Sequence, residues 1–129
     1  MTKSLQKIKF LALTLGAVLT AATAQADVFE VVSAPIADGV TVDQMRAADA
    51  PVGAFVAALP GFISRENGVS VQEDGISPGN EWFVIVRWDT IEHAQEAARL
   101  LNASPDVAAQ MFQSMKADQL FFRHYTVQD

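Results

Sequence analysis

The pattern of apolar and polar positions is clearest between Glu81 and Asp89, where Glu-Trp-Phe-Val-Ile-Val-Arg-Trp-Asp reads as a buried β-strand that stops at a helix start. Side chains alternate along a strand, so Trp82, Val84, Val86 and Trp88 share one face and Phe83, Ile85 and Arg87 the other. Both faces are largely apolar, and a strand of that kind has to be covered on both sides. This stretch is therefore expected to be the central strand. Helices on one face leave the second face to another cover, which predicts a dimer.

The remaining elements follow from local signals. Asp27 to Ala34 is a strand by its β-branched and aromatic content, broken by Pro35 to Gly39. Thr41-Val42-Asp43-Gln44 has capping-box spacing and starts a helix with a buried stripe of Met45, Ala48, Val52, Phe55, Val56 and Leu59. Pro51 predicts a kink in that helix, or a restart capped by Asp49. Leu59-Pro60-Gly61-Phe62 turns the chain into a strand over Ile63 to Val71, bent near Asn67-Gly68, and Asp74 to Asn80 forms the hairpin connection into the Trp82 strand. Asp89 is the expected N-cap of a second helix carrying Ile91, Ala94, Ala98 and Leu101 inward. Ser104-Pro105-Asp106 starts another, with Val107, Met111 and Met115 on its apolar side and Phe112 beside them; Leu120 to Val127 is the last strand. The order is β-α-β-β-α-β, an α+β ferredoxin-like sandwich, with each crossover read as joining parallel neighbours.

The N-terminus changes where the domain begins. Lys3, Lys7 and Lys9, the apolar run Phe10 to Leu19 and the small-x-small site Ala24-Gln25-Ala26 make residues 1–26 a secretory signal, too short in its apolar part to span a membrane. The domain then covers 27–129 and is expected in the periplasm or outside the cell, with no membrane attachment after cleavage. All 15 acidic residues lie beyond the signal, whereas three of the 9 basic ones lie within it. So acidic a mature chain argues against nucleic acid as a partner. With no Cys, the domain is held by its core, and pairing of two chains would add to that core.

Leu59-Pro60-Gly61-Phe62-Ile63-Ser64-Arg65-Glu66, the Trp82 to Trp88 strand, the capped Ala-rich helix and Arg123-His124-Tyr125 together resemble the antibiotic biosynthesis monooxygenase superfamily of dimeric α+β barrels. The resemblance covers essentially the whole mature chain. It implies two sheets packed face to face as a homodimer, with a pocket between sheet and helices in each subunit. Members include cofactor-free oxygenases of quinol-like aromatics, haem-degrading enzymes and signal-molecule isomerases. The Glu and His that many quinol-type members place around the strand-end Trp correspond here to Val86 and Ala97, and the Asn, Trp and His set of the haem degraders is not recognisable, since His93 sits only five residues beyond Trp88. The family's catalytic residues therefore do not transfer one by one.

Candidate chemistry rests on the residues themselves. His124, with Arg123 beside it, is the candidate catalytic residue, because an imidazole exchanges protons near neutral pH. The alternative is a hydrogen-bonded core or interface histidine. Trp82, Trp88, Phe55, Met111, Phe112 and Tyr125 are candidate substrate contacts. The two tryptophans are about 20 Å apart along the strand and cannot flank one small ligand. Arg65, Arg87 and Arg123 are expected to pair with carboxylates such as Glu66, Glu81 or Asp89, and His93 to sit at a solvated rim. Two histidines without Cys, in no ligand spacing, predict no metal site, and no cofactor motif is present. The resemblance, taken with these readings, implies an exported homodimer that binds or oxidises a small aromatic molecule without a cofactor. The alternative is a non-catalytic dimer that binds a small apolar ligand or has a structural role.

Overall fold

The computed structural model describes residues 27–128. The expected signal, residues 1–26, lies outside the described residues. Strand β1 is Val28–Pro35, β2 Phe62–Val69, β3 Glu81–Trp88 and β4 Phe121–Thr126; helix α1 is Val42–Ala57, α2 Ile91–Asn102 and α3 Pro105–Gln113, with a 3-10 turn at Ala117–Gln119. The strands form one sheet in the order β2-β3-β1-β4, so the Trp82 strand is central as expected. Every neighbouring pair is antiparallel. This corrects the expectation that each crossover joins parallel neighbours. The α1 crossover joins β1 to β2 with β3 inserted between them, and the second crossover joins β3 to β4 around β1, which is the split arrangement of a ferredoxin-like sandwich.

The helices cover one face of the sheet. Val28, Val32, Trp82, Val84, Val86 and Trp88 are buried there against Met45, Val52 and Val56 of α1, Ala94 and Ala97 of α2, and Met111 of α3. Among the described residues no helix is long and apolar enough to cross a membrane. The other face carries Phe29, Val31, Phe83, Ile85, Phe121 and Tyr125, in register with one another and all partly or largely exposed.

Local details depart from expectation in physically readable ways. The capping box of α1 is present in both halves, Gln44 N–H to the Thr41 hydroxyl at 3.1 Å and Thr41 N–H to the Gln44 side chain at 2.8 Å. Helix α1 then runs unbroken over Pro51. Asp49 caps nothing: it is fully buried, because Arg65 and Asn67 of β2 satisfy its carboxylate from the sheet. Helix α2 is capped by Thr90, whose hydroxyl accepts from His93 N–H at 3.1 Å. Asp89 instead pairs with the His93 ring at 2.6 Å on the surface. The irregularity in β2 is a bulge at Phe62/Ser64, not a bend at Asn67-Gly68. Gly61, just before it, has φ +84° and abuts Asp89 and His93 so closely that no side chain fits.

Candidate functional site

Pairing across the sheet lines up one row of side chains on the helix-covered face. Arg65 of β2 is opposite Val86 of β3, Val86 is opposite Glu30 of β1, and Glu30 is opposite His124 of β4. Three polar groups and one valine thus cross the whole sheet at one level. Over this row the helices leave a cavity of about 350 Å³, into whose wall Glu30 and Arg65 enter but His124 does not; apart from Asn102 the rest of the wall is apolar, with side chains such as Val52, Val56, Met111 and Phe122. That volume is at the small end of the range for small-molecule sites.

Each polar group in the row is held. Glu30 Oε1 accepts from the Trp88 indole N–H at 3.2 Å and lies 3.3 Å from His124 Nε2. His124 also meets the Phe122 ring edge to face, with centroids 5.1 Å apart. Arg65 donates through Nη1 and Nη2 to the two oxygens of Asp49, both at 2.7 Å, and Asn67 donates to the same carboxylate at 2.6 Å. Charge and hydrogen bonds are matched within this buried pair.

Burial raises the Glu30 carboxyl above its ordinary pKa of 4.5, since a carboxylate loses hydration there. His124, through its hydrogen bond and charge, the Trp88 indole and the Arg65 charge offset part of that rise. The result is a carboxyl biased toward taking up a proton, at the wall of an apolar cavity. This is the arrangement a general base needs.

The structure separates the residues singled out from sequence. His124 is in the polar row, and Met111 and Phe112 line the cavity. Trp88 is buried beneath it and acts on the site through its bond to Glu30. Phe55 packs against the core without being part of the cavity wall, and Trp82 is core, its indole N–H without a hydrogen-bond partner among the described residues. Arg123 and Tyr125 point to the open face, where the Arg123 guanidinium lies over Phe121 at 4.8 Å. Alternation along β4 thus puts Arg123 on the opposite side of the sheet from His124, and the two form no common site. The other arginines do pair with carboxylates, but with Asp49 and Asp27 in place of those expected. His93 is at the rim with its side chain 41% exposed. Among the described residues no group of three or more His, Cys, Asp or Glu side chains comes together.

Glu30, Arg65 and Asp49 were not read as site residues from sequence. A signal for Glu30 exists: it alternates with Val28, Val32 and Ala34, so a carboxylate falls on the face that the valines mark as buried. Gly53, inside α1, is the signal for Arg65, because a Cβ there would stand 2.9 Å from Arg65 Nη1.

The sequence matches no protein-family model and no curated protein. Solved structures do match. SnoaB, a cofactor-independent oxygenase from Streptomyces nogalater, aligns with a TM-score of 0.58 over 81% of this chain and 95% of its own, at 17% identity. A Bordetella bronchiseptica protein assigned to the antibiotic biosynthesis monooxygenases aligns with a TM-score of 0.64 over 81% and 100%, at 14% identity. The chain has the fold of the antibiotic biosynthesis monooxygenases. A dimeric ferredoxin-like protein of unknown function from Thermobifida fusca shares it as well, with a TM-score of 0.61 over 80% and 92% of the two chains, at 13% identity. At these identities the likeness is one of fold, and chemistry has to be argued from the polar row itself.

Proposed function

We propose that the chain is exported, pairs with a second copy through the open face of its sheet, and uses the cavity to oxidise a small aromatic or quinol-like molecule without a cofactor. The observation that carries the reading is Glu30, a buried carboxyl with a raised pKa at the wall of an apolar cavity, steadied by His124 and Trp88. Glu30 takes the proton of a ring hydroxyl, and the electron-rich anion that results gives its electrons to dioxygen. One oxygen atom replaces two hydrogens at a ring carbon and the other leaves with them as water, so the substrate itself supplies the electrons. The apolar wall excludes water from the reactive anion. Fold likeness to SnoaB supports the reading as analogy.

Pairing is supported by the apolar side chains of the open face, by the dimeric neighbour from Thermobifida fusca, and by the position of the cavity on the opposite side of the sheet, where pairing leaves it accessible. Export is supported by the signal pattern of residues 1–26.

Aerobic incubation of the mature protein with a panel of quinols, following oxygen uptake, tests the activity. Uptake by the wild type that falls by about 100-fold or more in Glu30→Gln is the expected result. Binding of the panel with no oxygen uptake would favour the second reading, a dimer that binds an apolar ligand without turning it over. The observation on that side is that Glu30 already has two polar partners, as a purely structural buried carboxyl would.

A further inference from the structure

The two edges of the open face carry a pattern that its apolar middle does not. Successive rows across the sheet end on β2 at Ser64, Glu66 and Gly68, and on β4 at Tyr125, Arg123 and Phe121 in the same order. One edge thus presents short side chains on either side of an acid, and the other presents aromatic rings on either side of a base. Ile85 and Val31 join Glu66 to Arg123 in the middle row.

Glu66 and Arg123 are both exposed, and neither has an ion-pair partner among the described residues. Arg123 rests over the Phe121 ring at 4.8 Å. Arg87, the other charge in these rows, is matched within its own chain by Asp27 at 2.8 Å. Glu66 and Arg123 cannot do the same, because three strand spacings, about 14 Å, separate their backbones.

A two-fold axis between two such faces can run along the strands or across them. Across the strands, β2 lies on its own copy, so that Glu66 meets Glu66 and Arg123 meets Arg123, and the short side chains meet one another as the rings do. Along the strands, β2 of one protomer lies on β4 of its partner with every row kept level. Glu66 then faces the partner's Arg123, and by symmetry the pair forms twice. The aromatic edge falls on the short one. Phe83 covers Gly68, where a Cβ would stand 2.8 Å from its ring, so the partner's Phe121 would meet aromatic carbon there.

We propose that the open face recognises a second copy of this chain in one orientation only, with the two-fold axis along the strands and Glu66 of each protomer paired with Arg123 of the other. The apolar middle supplies the contact area and the edge charges choose the partner and its orientation. This rests on the pairing through the open face proposed above.

Sedimentation of the mature protein and its charge variants tests the orientation. Glu66→Arg and Arg123→Glu each set like charges together and are expected to raise the dimer dissociation constant about 100-fold, whereas the two changes in one chain restore it to within about three-fold of wild type. The two single variants, mixed, are expected to pair with each other more tightly than either pairs with itself. If β2 lay on its own copy, each single variant would only exchange one like pair for another and would dimerise as wild type does, which overturns the proposal. Weakened single variants with no recovery in the double variant overturn it too. Should circular dichroism show that a reversed chain does not fold, Glu66→Gln and Arg123→Gln serve in its place, with about a ten-fold loss at low salt that narrows as salt screens the pair; affinity equal to wild type in those variants overturns the proposal. Wild type that stays monomeric overturns the pairing itself, whereas a wild-type dimer indifferent to these charges overturns the role of Glu66 and Arg123 alone.

Discussion

Glu30 and His124 face each other on adjacent strands with Oε1 and Nε2 3.3 Å apart, and their side chains are only 14% and 17% exposed. Burial raises the folded pKa of Glu30 above 4.5, so the folded protein binds a proton there that the unfolded chain has already released. The contribution of the protonated carboxyl to stability is complete below pH 4.5 and is lost as pH rises through the folded value. Glu30→Gln, which cannot ionise, should remove that part of the decline. Urea unfolding of wild type and variant across this range, at one protein concentration, would show their stabilities diverging in favour of the variant as pH rises; parallel curves would contradict the raised pKa.

Replacing His124 with Ala removes a hydrogen bond and a nearby charge that both lower the Glu30 pKa. The pH at which oxygen uptake begins on the acid side should therefore move upward, while the fold is retained because β4 is an edge strand. The expected loss of stability is about 1 kcal/mol. A pH–rate profile read beside circular dichroism checks both halves, and loss of the folded signal would show that His124 is structural.

Asp49→Ala should cost about 3–5 kcal/mol, because it strands the Arg65 guanidinium without its balancing charge. Gly53→Ala makes a sharper test. At most helix interiors that change stabilises by up to about 1 kcal/mol. Here the new Cβ would meet Nη1, which cannot withdraw without breaking its bond to Asp49, so a fall in Tm is expected. A rise would mean that Arg65 moves freely.

Opposite faces of β3 should respond differently to a charge. Phe83→Asp, on the open face beside Phe29, Val31, Ile85, Phe121 and Tyr125, is expected to give monomers or aggregates, since burying an apolar patch of roughly 400 Å² would contribute on the order of 10 kcal/mol before association costs. Val84→Asp, on the face covered by helices, should prevent folding outright. Light scattering on a wild type that stays monomeric at micromolar concentration, with stability unchanged on dilution, would remove the case for pairing.

Export predicts a mature form whose intact mass begins at Asp27. Full-length protein recovered from the membrane fraction would count against it.

The strands and helices were legible because their signals are local. Thr41 and Gln44 announced α1, and the apolar run from Trp82 to Trp88 announced the central strand. Which face of that strand meets the helices was not legible, since Phe83 and Ile85 are as apolar as Val84 and Val86 and only tertiary packing separates them. The insertion of β3 between β1 and β2 depends on long-range pairing with no short-range trace. Asp49 was misread for the same reason: its neighbour Pro51 suggested a local cap, while its true partner, Arg65, is 16 residues away across a crossover. His124 was singled out by residue type, but its place beside Glu30 and outside the cavity wall had no sequence signal. Glu30 was hidden because its strand was read for β-branched content and not for alternation.

The row Arg65–Val86–Glu30–His124 makes strand register a chemical specification. Along β1, Glu30 looks into the cavity while Phe29 and Val31 look out. Insertion of one residue before Phe29, with the rest of the sheet unchanged, would send the Glu30 carboxylate to the outer surface and turn the Phe29 ring toward Trp88. Both faces would lose their purpose in one step, so a chain built this way tolerates changes of residue in β1 far better than changes of spacing.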